Sequence, residues 1–114
     1  MDGYKLKVHL RLNGDFVLRN RISIYTNAVS GPFDDALEWP MRAHISFSVI
    51  CVGNKDKNVN SFYTDANSET QKSFLLPSLV QSNGRGFPNF ILHENIPKLL
   101  IDGKLVLKIC AKPK

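Results

Sequence analysis

Between residues 4 and 12 the chain alternates without a fault: Tyr4, Leu6, Val8, Leu10 and Leu12 are apolar, and Lys5, Lys7, His9 and Arg11 between them are polar. A two-residue period marks a strand with one buried face, because successive side chains leave a pleated backbone on opposite sides. Asn13-Gly14-Asp15 follows, and since Asn and Gly tolerate positive φ the chain is expected to reverse there. The period returns less cleanly in residues 21–29, where Ile22, Ile24 and Thr26 oppose Ser23, Tyr25 and Asn27. Tyr25 is the odd member, an aromatic on the polar side. It returns again in residues 43–51, where Ala43, Ile45, Phe47, Val49 and Cys51 alternate with His44, Ser46, Ser48 and Ile50 and predict a central strand.

Between the last two runs lies Gly31-Pro32-Phe33-Asp34-Asp35-Ala36-Leu37-Glu38-Trp39-Pro40. Gly31 and Pro32 break the preceding strand, and Pro40 removes an amide donor where the next begins, so a sheet corner is expected with Trp39 as a packing wedge. Further on, residues 53–58 read as a solvated loop, residues 59–63 as a short extended piece, and residues 64–72 as a polar loop without helical spacing. Ser82-Asn83-Gly84-Arg85-Gly86 permits a bulge or tight turn. Residues 87–92 read as a strand that Pro88 confines to an edge, and residues 93–96 as one helical turn. Asp102-Gly103 signals a hairpin leading into a last strand, with Leu105, Leu107, Ile109 and Ala111 expected on the core side. About seven short strands without a helical period predict an all-β, antiparallel sandwich.

At 114 residues and 43% hydrophobic content, one domain spanning residues 1–114 is expected. A domain of this size buries roughly two-thirds of its unfolded surface without a metal or disulfide. No apolar run reaches the roughly 18 residues of a membrane helix and no secretory segment is evident, so a soluble chain without membrane insertion is expected. Cys51 and Cys110 each sit in a strand-like run and read as two reduced core thiols, which points to the cytoplasm. The net charge of +5 is scattered over Lys5, Lys7, Arg11, Lys55, Lys57, Lys112 and Lys114, a solvated surface rather than a nucleic-acid footprint.

The search for reactive chemistry is negative. His9, His44 and His93 have no Cys or carboxylate at ligand spacing, so no metal is expected. Asp34 and Asp35 are adjacent and take opposite faces of an extended chain, so turn and cap roles suffice for them. Gly84-Arg85-Gly86 lacks the ending of a phosphate loop, and no Gly-x-Ser-x-Gly elbow occurs. No catalytic residue and no cofactor are expected, and the reading is of a non-enzyme.

Five motifs, Gly3-Tyr4-Lys5-Leu6, Leu12-Asn13-Gly14-Asp15, Ile22-Ser23-Ile24-Tyr25, the corner from Gly31 to Pro40 and Gly86-Phe87-Pro88-Asn89-Phe90, resemble in order and spacing the C-terminal domain of the tumour necrosis factor receptor-associated factors. This is the MATH (meprin and TRAF homology) fold, and the wording of the corner is closer to these factors than to the MATH domains of ubiquitin-ligase adaptors. The resemblance implies an eight-stranded antiparallel sandwich. It also carries a departure, since the family's domain has two strands before the Gly-Tyr-Lys motif at which this chain starts. Without them apolar surface is expected to lie open.

The resemblance further implies a peptide-binding module of a signalling adaptor, which captures extended segments of receptor cytoplasmic tails or of adaptor proteins along a sheet edge. Carried over residue by residue, Asp15 matches a groove carboxylate, Tyr25 and Phe62 match pocket aromatics, and Gly86 and Phe87 match the edge strand. At His9 the family commonly has Arg, and at Arg11 an aromatic or His, so the cation has moved along one strand face by roughly 6 to 7 Å. Ser73 retains one hydroxyl of a serine cluster, and Arg85 makes the groove more basic. An acidic peptide contacting Arg11, Arg85 and Lys72 is therefore expected. A trimeric full-length parent is implied too. The alternatives from other classes are a substrate-recognition MATH module of a ubiquitin ligase and a basic nucleic-acid-binding domain.

Overall fold

The computed structural model describes residues 3–14, 19–53, 55–77 and 84–114. Among these residues are six strands in two three-stranded antiparallel sheets. The first sheet has the order β1-β2-β5, from β1 (Lys5–Arg11), β2 (Arg21–Val29) and β5 (Arg85–Leu92). The second has the order β4-β3-β6, from β4 (Lys55–Tyr63), β3 (Ala43–Cys51) and β6 (Val106–Pro113). The two central strands are the two with the longest buried faces, as their alternation predicts. Ile22, Ile24 and Ala28 of β2 meet Ala43, Ile45, Phe47 and Val49 of β3 between the layers, joined by Phe90 and Ile91 of β5 and by Phe74.

The corner is held by its own hydrogen bonds. Residues Asp34–Ala36 form a 3₁₀ turn, the Asp34 carboxylate accepts from the Gly31 amide at 3.1 Å, and the Trp39 indole N–H donates to the Asp34 carbonyl at 2.9 Å. Tyr4 stands edge-on to Trp39 with ring centroids 5.2 Å apart, and its hydroxyl donates to the Glu38 carbonyl at 2.6 Å. The wedge role expected for Trp39 and a turn role for Asp34 are both filled, although Asp34 is the first residue of the 3₁₀ turn and caps no helix, and the Trp39-Pro40 peptide is cis.

Several sequence expectations are corrected. Residues 64–72 are not all loop: Ser68–Lys72 is one helical turn, α1, because the Asn67 side chain accepts from the Thr70 amide at 2.8 Å and caps it. Most of the supposed loop at residues 53–58 belongs to β4, whose polar residues pair with Val49, Ile50 and Cys51 beyond a register shift. A polar edge strand shows no alternation, so periodicity does not reveal it. The Asp102-Gly103 turn closes only a single bridge between Ile101 and Lys104, following a short helix, α2 (Ile96–Leu99). Cys51 is buried, but Cys110 pairs opposite Ser46 on the outer face of its sheet, so it is not a core thiol. Ile109 lies on the inward row opposite Phe47 yet is 43% exposed.

That last exposure has a counterpart on β1. Val8 and Leu10 occupy inward positions opposite Thr26 and Ile24, but are 37% and 45% exposed. Among the described residues β1 and β6 each pair on one side only, and Val8, Leu10 and Ile109 of their inward rows stand exposed.

Candidate peptide-binding face

The outer face of the β1-β2-β5 sheet collects the odd-numbered side chains of its first two strands. Antiparallel register lines up His9, Tyr25 and Gly86 in one row across all three strands. The Arg11 guanidinium lies over the Tyr25 ring, 5.1 Å from its centroid, and the His9 Nε2 lies 3.2 Å from the Asn27 side-chain oxygen. Arg11 and His9 therefore present cationic and donor groups on the face that Tyr25 floors, two residues apart as their spacing predicts. A guanidinium on an exposed ring contributes about 0.5–1 kcal/mol, enough to orient the side chain without neutralising it.

Gly86 is required by close approach. A Cβ built there would sit 2.0 Å from the Ile24 carbonyl oxygen and 2.8 Å from the Tyr25 Cα. Only glycine lets β5 run this close to β2. The Ser23 hydroxyl completes the clamp by donating to the Pro88 carbonyl at 2.6 Å, where Pro88 interrupts regular pairing. β5 itself is an edge strand: among the described residues it pairs with β2 alone. Near its end the Asn58 side chain donates to the Phe90 carbonyl at 3.2 Å and covers part of that edge.

The remaining expected site residues fall elsewhere. Phe62 and Phe87 do come together, with centroids 6.0 Å apart, but they do so between the sheets, in a cluster with Phe47, Phe74 and Phe90. They are half-buried and back the edge from inside rather than forming an open aromatic pocket. Arg85 pairs opposite Thr26, a row of the inward face, and is exposed at the rim, so it does not share the Arg11 face. Ser73 is buried after α1, and its carbonyl accepts from the Ala28 amide at 2.9 Å. That places it about 10 Å along β2 from the Tyr25 row. Lys72 is engaged with Glu69 at 3.0 Å. Asp15 lies outside the described residues.

Two contributors, Ser23 and Asn27, are not among the site residues expected from the sequence. Both share the parity of Tyr25, so the alternation that singled out Tyr25 also placed them on its face. Among the described residues no three His, Cys, Asp or Glu side chains gather to hold a metal, and no helix is long and apolar enough to cross a membrane.

Comparison with known proteins gives one answer. The family model for the TRAF/meprin MATH domain matches residues 1–108. Human TNF receptor-associated factor 5 is 32% identical over 112 residues, covering 94% of this chain and 20% of that protein. Human TNF receptor-associated factor 1 is 32% identical over 89 residues, covering 77% of this chain and 21% of that protein. The chain thus spans about a fifth of the curated relatives it matches. A solved structure of TRAF5 from Notothenia coriiceps superposes with a TM-score of 0.75 at 26% identity, over 98% of this chain and 57% of that one. An antiparallel sandwich, a stapled Trp-Pro corner and an edge strand held by a clash-limited glycine thus meet a family match along nearly the whole chain: the protein belongs to the TRAF/meprin MATH domain family.

Proposed function

We propose that this domain is a non-catalytic protein-interaction module that captures a short, extended, acidic segment of a receptor cytoplasmic tail or adaptor protein along β5. The observation that carries the reading is the one-sided pairing of β5 beside the row of His9, Tyr25 and Gly86. An edge strand offers main-chain groups to a visiting strand, and the neighbouring face selects its side chains. Arg11 on Tyr25 presents its fork to a carboxylate, and Arg85 at the rim adds a second cation on the other side of the visiting chain. The relatives named as TNF receptor-associated factors support a receptor-associated setting, and a receptor's cytoplasmic tail as ligand would put the domain in the cytoplasm. In a trimeric parent, three such weak sites gain by avidity.

Calorimetry with acidic receptor-tail peptides tests this. Wild type is expected to bind at about the micromolar level, as a small transient interface does. Arg11→Ala is expected to weaken binding about tenfold through loss of a charge-assisted contact. Unchanged affinity in Arg11→Ala would remove Arg11 from the site, and no binding of any such peptide would remove the function.

A further inference from the structure

In the sequence the positive charges are spread along the chain; the β1-β2-β5 sheet gathers four of them on one face. Lys5, Lys7 and Arg11 take the outer side of β1, and Arg21 takes the outer side of β2, two residues beyond the Ser23 that pairs opposite Arg11. At about 6 to 7 Å for every second residue, they form a stripe about 25 Å long. None of the three strands contains an Asp or Glu. Of the 15 Lys and Arg, these four leave eleven, against 10 Asp and Glu, so nearly all of the net charge of +5 belongs to this face. We propose that this face, with the β1 rim, is a docking surface for the anionic headgroups of a lipid membrane.

The charges are not neutralised within the protein. Among the described residues the ion pairs are those of Lys72, Lys108 and Lys114, and none involves this face. Arg21 donates to the side-chain oxygens of Asn20 and Asn89, which are neutral, so its guanidinium is held in place with its charge intact. Arg11 lies over the Tyr25 ring, which likewise leaves it charged. Lys5, Lys7 and Arg11 are exposed, and His9 stands between the last two in a row with Tyr25 and Gly86 that holds no acid. Like charges on one side of a small domain add their fields and turn that side toward an anionic surface before contact.

Two observations select a membrane among polyanions. Single-stranded nucleic acid is held largely by bases stacked on open rings, and the one Phe, Tyr or Trp side chain on this face, Tyr25, is covered by Arg11. Beside the stripe, Val8, Leu10 and Leu12 stand 37%, 45% and 63% exposed along the same rim. A nucleic acid backbone leaves such a row in water, whereas apolar side chains next to lysines enter the boundary between headgroups and acyl chains. β1 and β5 are opposite edges of the sheet, so a membrane against the β1 rim leaves the β5 edge open. Docking of the rim requires no peptide at β5.

Vesicle co-sedimentation tests the surface, with phosphatidylcholine vesicles and with vesicles carrying about one-third phosphatidylserine. Binding to the anionic vesicles alone is expected, and it should fade at about 1 M salt, where charges are screened beyond about 3 Å. Each cation near such a leaflet contributes about fivefold, so Lys5→Gln with Lys7→Gln is expected to weaken binding about 25-fold. Lys55→Gln with Lys57→Gln removes the same net charge from β4 of the other sheet and is expected to weaken it no more than about twofold. All four lysines are exposed, and urea unfolding followed by Trp39 fluorescence checks that each variant folds as the wild type does. Absence of binding to anionic vesicles would overturn the proposal. An equal loss in the two double variants would also overturn it, by showing that net charge and not this face counts. Tighter binding to single-stranded RNA than to the vesicles, at equal phosphate concentration, would assign the face to nucleic acid and overturn it as well. The Arg11→Ala calorimetry is run without vesicles, so the peptide site and the membrane surface succeed or fail separately.

Discussion

Replacing Gly86 with alanine sets one methyl group against main-chain atoms, which yield only if a whole strand moves. The new Cβ would stand 2.0 Å from the Ile24 carbonyl oxygen and 2.9 Å from the carbonyl carbon, both main-chain atoms of the central strand of the sheet. The φ of Gly86 lies outside the left-handed region, so the penalty is steric rather than conformational. Relief requires β5 to move outward by about 1 Å, which carries N–H···O distances past the range in which they bond. The pairs at risk are Ile24 with Phe87, Tyr25 with Gly86 and Thr26 with Arg85. Losing two such bonds costs about 2 kcal/mol, and partial exposure of the Phe87 ring adds about 1–2 kcal/mol. The expected loss is about 3–4 kcal/mol, a large part of the 5–15 kcal/mol that holds a typical domain folded. In urea unfolding followed by tryptophan fluorescence from Trp39, the midpoint should fall by about 2 M at an m-value of about 1.5–2 kcal/mol/M. Gly103→Ala is the control: nothing lies within 4 Å of its Cβ, and the cost is that of a positive φ alone, about 1–2 kcal/mol. If Gly86→Ala unfolds within about 0.5 kcal/mol of wild type, β5 is not packed on β2 as described, and the argument for a glycine-limited edge fails.

Three further outcomes are expected. Thr64→Val keeps the side-chain shape but orphans the Ala43 amide and the Met41 carbonyl, which the buried hydroxyl engages at 3.0 and 2.6 Å; a loss of about 3 kcal/mol should lower the melting temperature by about 10 °C or more. Arg11→Ala should change folding stability by no more than about 1 kcal/mol, since it removes only an exposed contact with Tyr25, so its loss of peptide affinity reports binding and not unfolding. The Lys114 ammonium, hydrogen-bonded to both Asp65 carboxylate oxygens at 3.0 and 2.9 Å, holds that carboxyl below the usual carboxylate range. A depressed carboxyl contributes stability above its unfolded pKa that fades as pH falls through the folded one, so Lys114→Ala should raise the Asp65 midpoint in a carboxyl NMR titration and weaken the acid sensitivity of folding.

How far the sequence discloses this molecule depends on which strands bury a face. Strands β1, β2 and β3 are legible because one side of each alternates, and even the outward placement of Tyr25 can be read from its parity. Strand β4 is not, because its residues Lys55 to Asn58 are polar on both sides and pair only with a partner that tertiary structure supplies. The turn α1 is too short to show a helical period and is set by the Asn67 cap. The site divides in the same way. The His9, Arg11 and Tyr25 face follows from two adjacent alternating runs, whereas the burial of Phe62 and Phe87 depends on how the sheets stack.

The claim on which the account rests is that β5 has an open edge that accepts a visiting strand beside Tyr25. Backbone-amide NMR of the domain, titrated with an acidic receptor-tail peptide, measures it directly. The account predicts that the largest shifts, with new protection from hydrogen exchange, fall on Arg85, Gly86 and Phe87, with smaller ones at Tyr25 and Arg11. Shifts concentrated on the β1 edge or on the β4-β3-β6 sheet, with residues 85–87 unchanged, would contradict it.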